Sequence, residues 1–129
     1  MYLLNVKAHY DAAHFLRSYR GKCEKLHGHR YVVEAALAFE ELGEGGMAYD
    51  FGEAKRHLRA IAEQLDHENL NELDAFRERE TSAENQARHV YDALKARLGA
   101  VADNLLWVRV WETPEQWAQY SERDVTGIV

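Results

Sequence analysis

Seven histidines stand in this chain of 129 residues, and three of them fall where they can act together. His27 and His29 flank a single glycine, Gly28. Side chains alternate along an extended segment, so both imidazoles point to one side. His14 lies just past the end of an earlier extended segment and reaches the same point if the two segments pair. Three neutral imidazoles at about 2.0–2.1 Å form a common catalytic zinc set, with a fourth position open to water or substrate. Gly28 lets the backbone approach closely. The plainer reading is three surface or capping histidines near a loop. His9, His57 and His89 read as structural or solvent-exposed.

Other reactive groups surround these three. Cys23 lies four residues before His27. It is either a fourth ligand that closes a structural zinc site, or a thiol beside the metal. Lys22, Lys25 and a bound zinc would all favour its thiolate. An inert buried cysteine fits poorly in so polar a segment. Asp66 and His67 are adjacent, and an acid can orient and charge-stabilise an imidazole for proton transfer. Such pairs also cap helices. Glu112 shares an apolar strand face with Leu106, Val108 and Val110, where a carboxylate is costly unless paired. It either meets a ligand there or marks the point where the strand reaches solvent. A heterocycle with an amidine-like N–H edge suits it, because a carboxylate accepts two hydrogen bonds at once.

Positioning these groups requires a particular order of elements. Residues 2–10 alternate, with Tyr2, Leu4, Val6, Ala8 and Tyr10 on one face, which predicts a half-buried strand. Residues 29–40 alternate likewise, with Tyr31, Val33, Ala35, Leu37 and Phe39 apolar. A charged loop spans about Asp11 to Gly28, and Gly43, Gly45 and Gly46 break the second strand. Asp50 with Glu53 reads as a capping box before a helix carrying Phe51, Ala54, Leu58, Ile61 and Leu65. A second helix is expected to open at Thr81 with Glu84 as its box partner. It carries Ala83, Ala87, Val90, Tyr91, Leu94 and Leu98, and Gly99 stops it. Residues 105–112 read as a third strand, and the tail around Trp117 and Tyr120 as a fourth. Strand, strand, helix, helix, strand, strand predicts one α+β domain over 1–129, with an antiparallel sheet and helices on one face. Open sheet edges need covering, and pairing with other subunits is one solution.

Composition narrows the function classes. The apolar share of 47% and charged share of 29% suit a globular enzyme or binding domain. A net charge of −6 argues against a nucleic-acid binder. A single cysteine excludes an internal disulfide and suits a reducing compartment. The first residues, Met-Tyr-Leu-Leu-Asn-Val-Lys, lack an apolar signal region, and no apolar run approaches the ~18 residues of a membrane span. A cytoplasmic protein is the default expectation.

Several short stretches, in this order and spacing, resemble the 6-pyruvoyltetrahydropterin synthase family. They are Ala-Ala-His-Phe (12–15), Cys-Glu-Lys-Leu-His-Gly-His (23–29), Gly-Met-Ala-Tyr-Asp-Phe (46–51), Leu-Asp-His-Glu-Asn-Leu-Asn (65–71), Thr-Ser-Ala-Glu-Asn (81–85) and Trp-Glu-Thr (111–113). The resemblance implies a tunnelling fold: a four-stranded antiparallel sheet backed by two helices, with subunits joined into barrels. It also implies a homo-oligomer, a hexamer built as a dimer of trimers, with active sites at subunit interfaces. By the same resemblance His14, His27 and His29 would bind Zn²⁺ and Cys23 would be the general base. Asp66 and His67 would form a proton relay, and Glu112 would anchor the pterin ring. Three residues, Glu24, Lys25 and Leu26, separate the cysteine from His-Gly-His. That spacing, with Asp50-Phe51, is similar to the 6-carboxytetrahydropterin synthases of the queuosine (7-deazaguanine) route. The 6-pyruvoyl enzymes usually have five. Thr81-Ser82 departs from the family's usual Pro-Thr.

The implied reaction takes 7,8-dihydroneopterin triphosphate, eliminates triphosphate and releases acetaldehyde, with no redox cofactor. Arg17, Arg20, Lys22, Lys25 and Arg30, against Glu24 alone, form a basic cluster that can steer such an anion. Competing readings are a 6-pyruvoyl or sepiapterin-like activity, a carbonic-anhydrase-like hydratase, and a non-enzymatic zinc-binding module.

Overall fold

The computed structural model describes residues 1–128. Strand β1 runs Tyr2–His14 and β2 runs His27–Phe39. They pair antiparallel along their whole length, from Tyr2 opposite Phe39 to His14 opposite His27. Both strands reach further into the histidine-rich segment than alternation predicted, so His14 ends β1 rather than following it. Helix α1 (Phe51–Leu65) is followed by a two-residue strand, β3 (Glu68–Asn69), then by helix α2 (Ala83–Leu98), β4 (Leu105–Thr113) and β5 (Gln116–Tyr120).

The sheet has five strands in the order β3-β1-β2-β4-β5. The expected four-stranded antiparallel sheet is therefore corrected to a mixed one, because β3 lies parallel to Ala12 and Ala13 of β1. Two residues are too short for any hydrophobic period to announce. Both helices cover one face of the sheet. There Val6, Tyr10, Tyr31, Val33, Ala35, Leu37, Val108 and Val110 pack against Leu58, Ile61, Ala87, Val90 and Leu94.

The register of β2 against β4 slips at Ala36 and Leu37, so Ala36 faces Trp107 while Leu37 faces Leu105. This bulge inserts one extra residue and reverses the local alternation. Leu106, expected on the Glu112 face, instead joins Ala36, Trp107 and Val125 on the other side of the sheet. The C-terminal turn at Val125 covers that second cluster.

The caps also differ in detail. Asp50 accepts a hydrogen bond from the Gly52 N–H as the cap of α1, but Glu53 pairs with Arg56 instead of closing a box. The cap of α2 is Ser82, whose hydroxyl accepts from the Asn85 N–H, and not Thr81. Thr81 is buried and turned inward. Gly99 ends α2 at φ 58, in the left-handed region where a glycine is tolerated.

Candidate functional site

The β1–β2 register decides where the imidazoles go. Residues directly opposite in an antiparallel pair project to the same face, and so do residues two apart on one strand. His14 opposite His27, with His29 two further on, therefore brings three rings together on the helix-covered face. Their ring centroids lie 4.6, 4.9 and 5.6 Å apart. One ligand nitrogen from each lies within 4.8 Å of the others. His14 is only 2% exposed.

Hydrogen bonds select which nitrogen faces inward. His14 Nδ1 meets the Thr81 carbonyl at 2.8 Å, and His27 Nδ1 meets the Lys25 carbonyl at 2.6 Å. Each ring is thus held with Nδ1 as donor, which leaves Nε2 free. His14 Nε2 and His29 Nε2 are buried with no hydrogen-bond partner. Leaving such atoms unsatisfied costs about 1–3 kcal/mol each, and together with His27 they form a group that could hold a metal ion. Burial pushes the pKa values of His14 and His29 below the ordinary histidine range, partly opposed by the Thr81 carbonyl at His14 and by Glu112 at both. Neutral imidazoles are what a divalent metal requires. The donor set therefore fits zinc.

Glu112 reaches the same place: its Oε1 lies 3.4 Å from His29 Nε2, and both side chains are about one-fifth exposed. It also borders a cavity of about 180 Å³ with Ala83, Glu84, Gln116, Trp117 and Ala118. A carboxylate facing an open groove next to the cluster can accept N–H groups of a ligand.

Cys23 sits in the turn Lys22–Glu24, half-buried. Its carbonyl accepts the Leu16 N–H at 2.7 Å, which ties the turn back to the end of β1. The converging donors among the described residues are His14, His27 and His29, and Cys23 lies outside that set. Burial raises the Tyr31 hydroxyl far above the ordinary tyrosine range, and Glu112 and Cys23 both add to that rise.

Asp66 and His67 are placed differently. Asp66 Oδ2 lies 2.8 Å from His67 Nδ1, and its Oδ1 accepts the Asp11 N–H at 2.8 Å. The His67 N–H in turn donates to the Asp11 carbonyl at 2.6 Å. The Asp11 N–H, followed by His67, holds the Asp66 carboxyl below its usual range. His67 is the one non-glycine at positive φ among the described residues, at 59°, and its side chain is 81% exposed. Such backbone strain concentrates at functional sites. The pair meets Asp11, whose side chain leaves the sheet opposite the three imidazoles and grips Arg30 through two hydrogen bonds of 2.8 and 2.9 Å. Asp11, Arg30 and His67 border a second cavity of about 530 Å³, which His29 also lines.

The basic cluster is smaller than the sequence suggested. Arg30 is committed to Asp11, and the Arg17 guanidinium donates to the Asn71 and Arg79 carbonyls at 3.0 and 3.3 Å. Arg20, Lys22 and Lys25 remain exposed and without an ion pair among the described residues. Sequence reading also passed over Thr81, Gln86 and Asn71, which surround His14. The one available signal was Gln86, a polar residue within the apolar stripe of α2.

Fold and site together define an α+β protein with an open three-imidazole cluster able to hold a divalent metal. Residues 3–123 match the family described as 6-pyruvoyl tetrahydropterin synthase. A Bacillus subtilis protein named 6-carboxy-5,6,7,8-tetrahydropterin synthase is 31% identical, over 91% of this chain and 83% of its own length. A Haemophilus influenzae protein of the same name is 26% identical, over 95% of this chain and 100% of its own. The solved structure of Caenorhabditis elegans 6-pyruvoyl tetrahydropterin synthase superposes with a TM-score of 0.86 at 26% identity, covering 95% of this chain and 96% of that one. The chain belongs to the 6-pyruvoyl tetrahydropterin synthase family. No helix among the described residues is long and apolar enough to cross a membrane.

Proposed function

We propose that this chain is a zinc-dependent 6-carboxytetrahydropterin synthase, a lyase that converts 7,8-dihydroneopterin triphosphate to 6-carboxytetrahydropterin with loss of acetaldehyde and triphosphate. Its place would be in queuosine or 7-deazaguanine synthesis. The observation that carries the reading is the convergence of three imidazoles with free Nε2 atoms beside Glu112, in a chain about 30% identical to proteins of that name. His14, His27 and His29 would hold the zinc, which when bound would polarise the substrate's side-chain oxygens and acidify the adjacent C–H bonds. Glu112 would accept the N–H edge of the pterin ring. Cys23, as thiolate, would remove a side-chain proton. His67, oriented and charge-stabilised by Asp66, would carry protons to and from the side-chain oxygens. Arg20, Lys22 and Lys25 would draw in the triphosphate.

Asp66 and His67 are strapped to the Asp11 main chain at the outer edge of β1, outside the three-imidazole group. They would therefore serve the metal of a neighbouring subunit, in a homo-oligomer such as a hexamer of two trimers. The test is product analysis by mass spectrometry after incubating zinc-loaded protein with dihydroneopterin triphosphate. The expected products are 6-carboxytetrahydropterin and acetaldehyde. A 6-pyruvoyl product would overturn the branch, and no turnover by folded, zinc-loaded protein would overturn the enzyme reading.

A further inference from the structure

Gln86 and His14 share one acceptor. Gln86 lies in the first turns of α2 and is completely buried. Its Nε2 donates to the Thr81 carbonyl at 2.8 Å, the same oxygen that His14 Nδ1 meets at 2.8 Å. At its other end, Oε1 accepts the hydroxyl of buried Tyr10 at 2.7 Å. A continuous chain of hydrogen bonds thus runs from the core of β1, through α2, to a metal-facing ring.

The surroundings fix this chain in space. The Thr81 hydroxyl donates to the Phe15 carbonyl at 3.1 Å. Asn71 clamps the same residue from both sides, accepting the Phe15 N–H and donating to the Phe15 carbonyl at 2.9 Å each. The residue after His14 and the carbonyl that holds His14 are therefore locked to one another. His27 has no comparable support: its Nδ1 meets only the Lys25 carbonyl, two residues away on an exposed turn.

We propose that Gln86 is a positioning residue for the metal centre, holding the Thr81 carbonyl so that His14 keeps its proton on Nδ1 and presents Nε2 to the ion. The inference rests on the zinc reading of the three histidines. A buried glutamine in an apolar helix stripe is costly unless both ends of its amide are satisfied. Here both ends are, and one of them lands on the acceptor of a ligand ring. Groups that orient a ligand's second nitrogen typically set metal affinity by 10–100-fold. Gln86 acts through one intervening carbonyl, so the low end of that range applies.

The test uses the full chain. The double variant Tyr10→Phe/Gln86→Met removes both halves of the buried pair at nearly constant shape, so no donor is stranded between them. Zinc affinity is read by competition with a chromophoric chelator, and the site is read by the visible bands of the cobalt-substituted protein. The double variant should bind zinc about tenfold more weakly, or about 1.4 kcal/mol, with displaced cobalt bands. Tyr10→Phe alone, which leaves the Gln86–Thr81 bond in place, should stay within about threefold of the parent. A folded double variant with parental affinity and bands would reduce Gln86 to a core residue and overturn the proposal. Should the double variant not fold, nitrogen-15 NMR of the unaltered apo-protein decides: His14 protonated on Nδ1 supports the proposal and on Nε2 overturns it. A failure of the zinc reading itself shows separately, as a parent chain that binds no zinc or a His14→Ala variant that binds it equally well.

Discussion

Alanine at position 23 separates the two roles that a cysteine beside three histidines can play. The donors that converge are all imidazoles, and Cys23 lies outside them in its own short turn. What holds that turn is the Cys23 carbonyl on the Leu16 N–H at 2.7 Å, a backbone bond that alanine keeps. Stability should therefore change by no more than about 0.5–1 kcal/mol, as for a half-exposed substitution. Zinc should remain at one ion per chain, with affinity within about threefold of the parent, or about 0.7 kcal/mol. Turnover should fall by about 10²–10⁴ if the thiolate is the base that removes the substrate proton. At 1.36 kcal/mol per tenfold that is a loss of about 2.7–5.4 kcal/mol from the transition state alone. The assay pairs metal analysis and thermal unfolding, with and without chelator, with product detection. Loss of zinc together with a collapsed melting temperature would refute the argument, because it would make Cys23 a fourth ligand of a closed structural site. Full activity would refute it from the other side.

Four further expectations follow from the same geometry. His29→Ala removes one of the three proposed ligands and should weaken zinc binding by at least about 100-fold; chelator competition that returns parental affinity would dissolve the site. In chelator, the melting temperature should fall as pH drops below about 6.5. Burial keeps His14 and His29 neutral in the folded chain, so in that window the unfolded chain binds more protons and gains stability; a flat profile between pH 7 and 5 would contradict this. Replacing Arg20, Lys22 and Lys25 by Glu should raise KM for the triphosphate several-fold, and less so at high salt, whereas an unchanged KM would remove the steering role. Cys23→Ala and His67→Ala should each be inactive alone yet regain activity when unfolded together and reassembled, since mixed oligomers would contain some intact sites; two variants that stay inactive in mixture would place both residues in one subunit's site.

The sequence carried the site further than it carried the sheet. His14, His27 and His29 were legible because a strand has period two, and a two-residue spacing can be read without coordinates. Their actual convergence rests on the β1–β2 register, and a slip of one residue would have sent His14 to the opposite face. Four features had no such signal. The bulge that turns Leu106 away from Val108 arises where β2 and β4 pair, from residues nearly 70 positions apart. Strand β3 exists because the chain reverses at His67 and lies for two residues along Ala12 and Ala13. The commitment of Arg17 and Arg30 to Asn71, Arg79 and Asp11 is a matter of reach across the fold, and composition counts both as free charge. The cap at Ser82 instead of Thr81 belongs with these. Both residues are competent caps, and the buried partners of Thr81, Phe15 and Asn71, decide between them.

The two faces of the sheet divide the proposed chemistry in a way that bears on assembly. The imidazoles and Glu112 share the helix-covered face at its open end, whereas Asp11 and Arg30 point the other way. Asp66 and His67 are fastened to the Asp11 main chain, by the Asp11 N–H to the Asp66 carboxylate and by the His67 N–H to the Asp11 carbonyl, and His67 holds a strained positive φ there. Among the described residues, the exposed His67 ring is paired with Asp66, which orients it. On the proposed reading, the Asp66–His67 pair of one subunit would serve the metal cluster of another. A second copy that brought its Asp66 and His67 to the first copy's cluster would complete the site, and the outer side of β1 beyond its short pairing with β3, or the edge strand β5, would offer it a place to pair. On the same reading, association would serve the reaction: a dissociated subunit should keep its zinc and its melting transition while losing turnover.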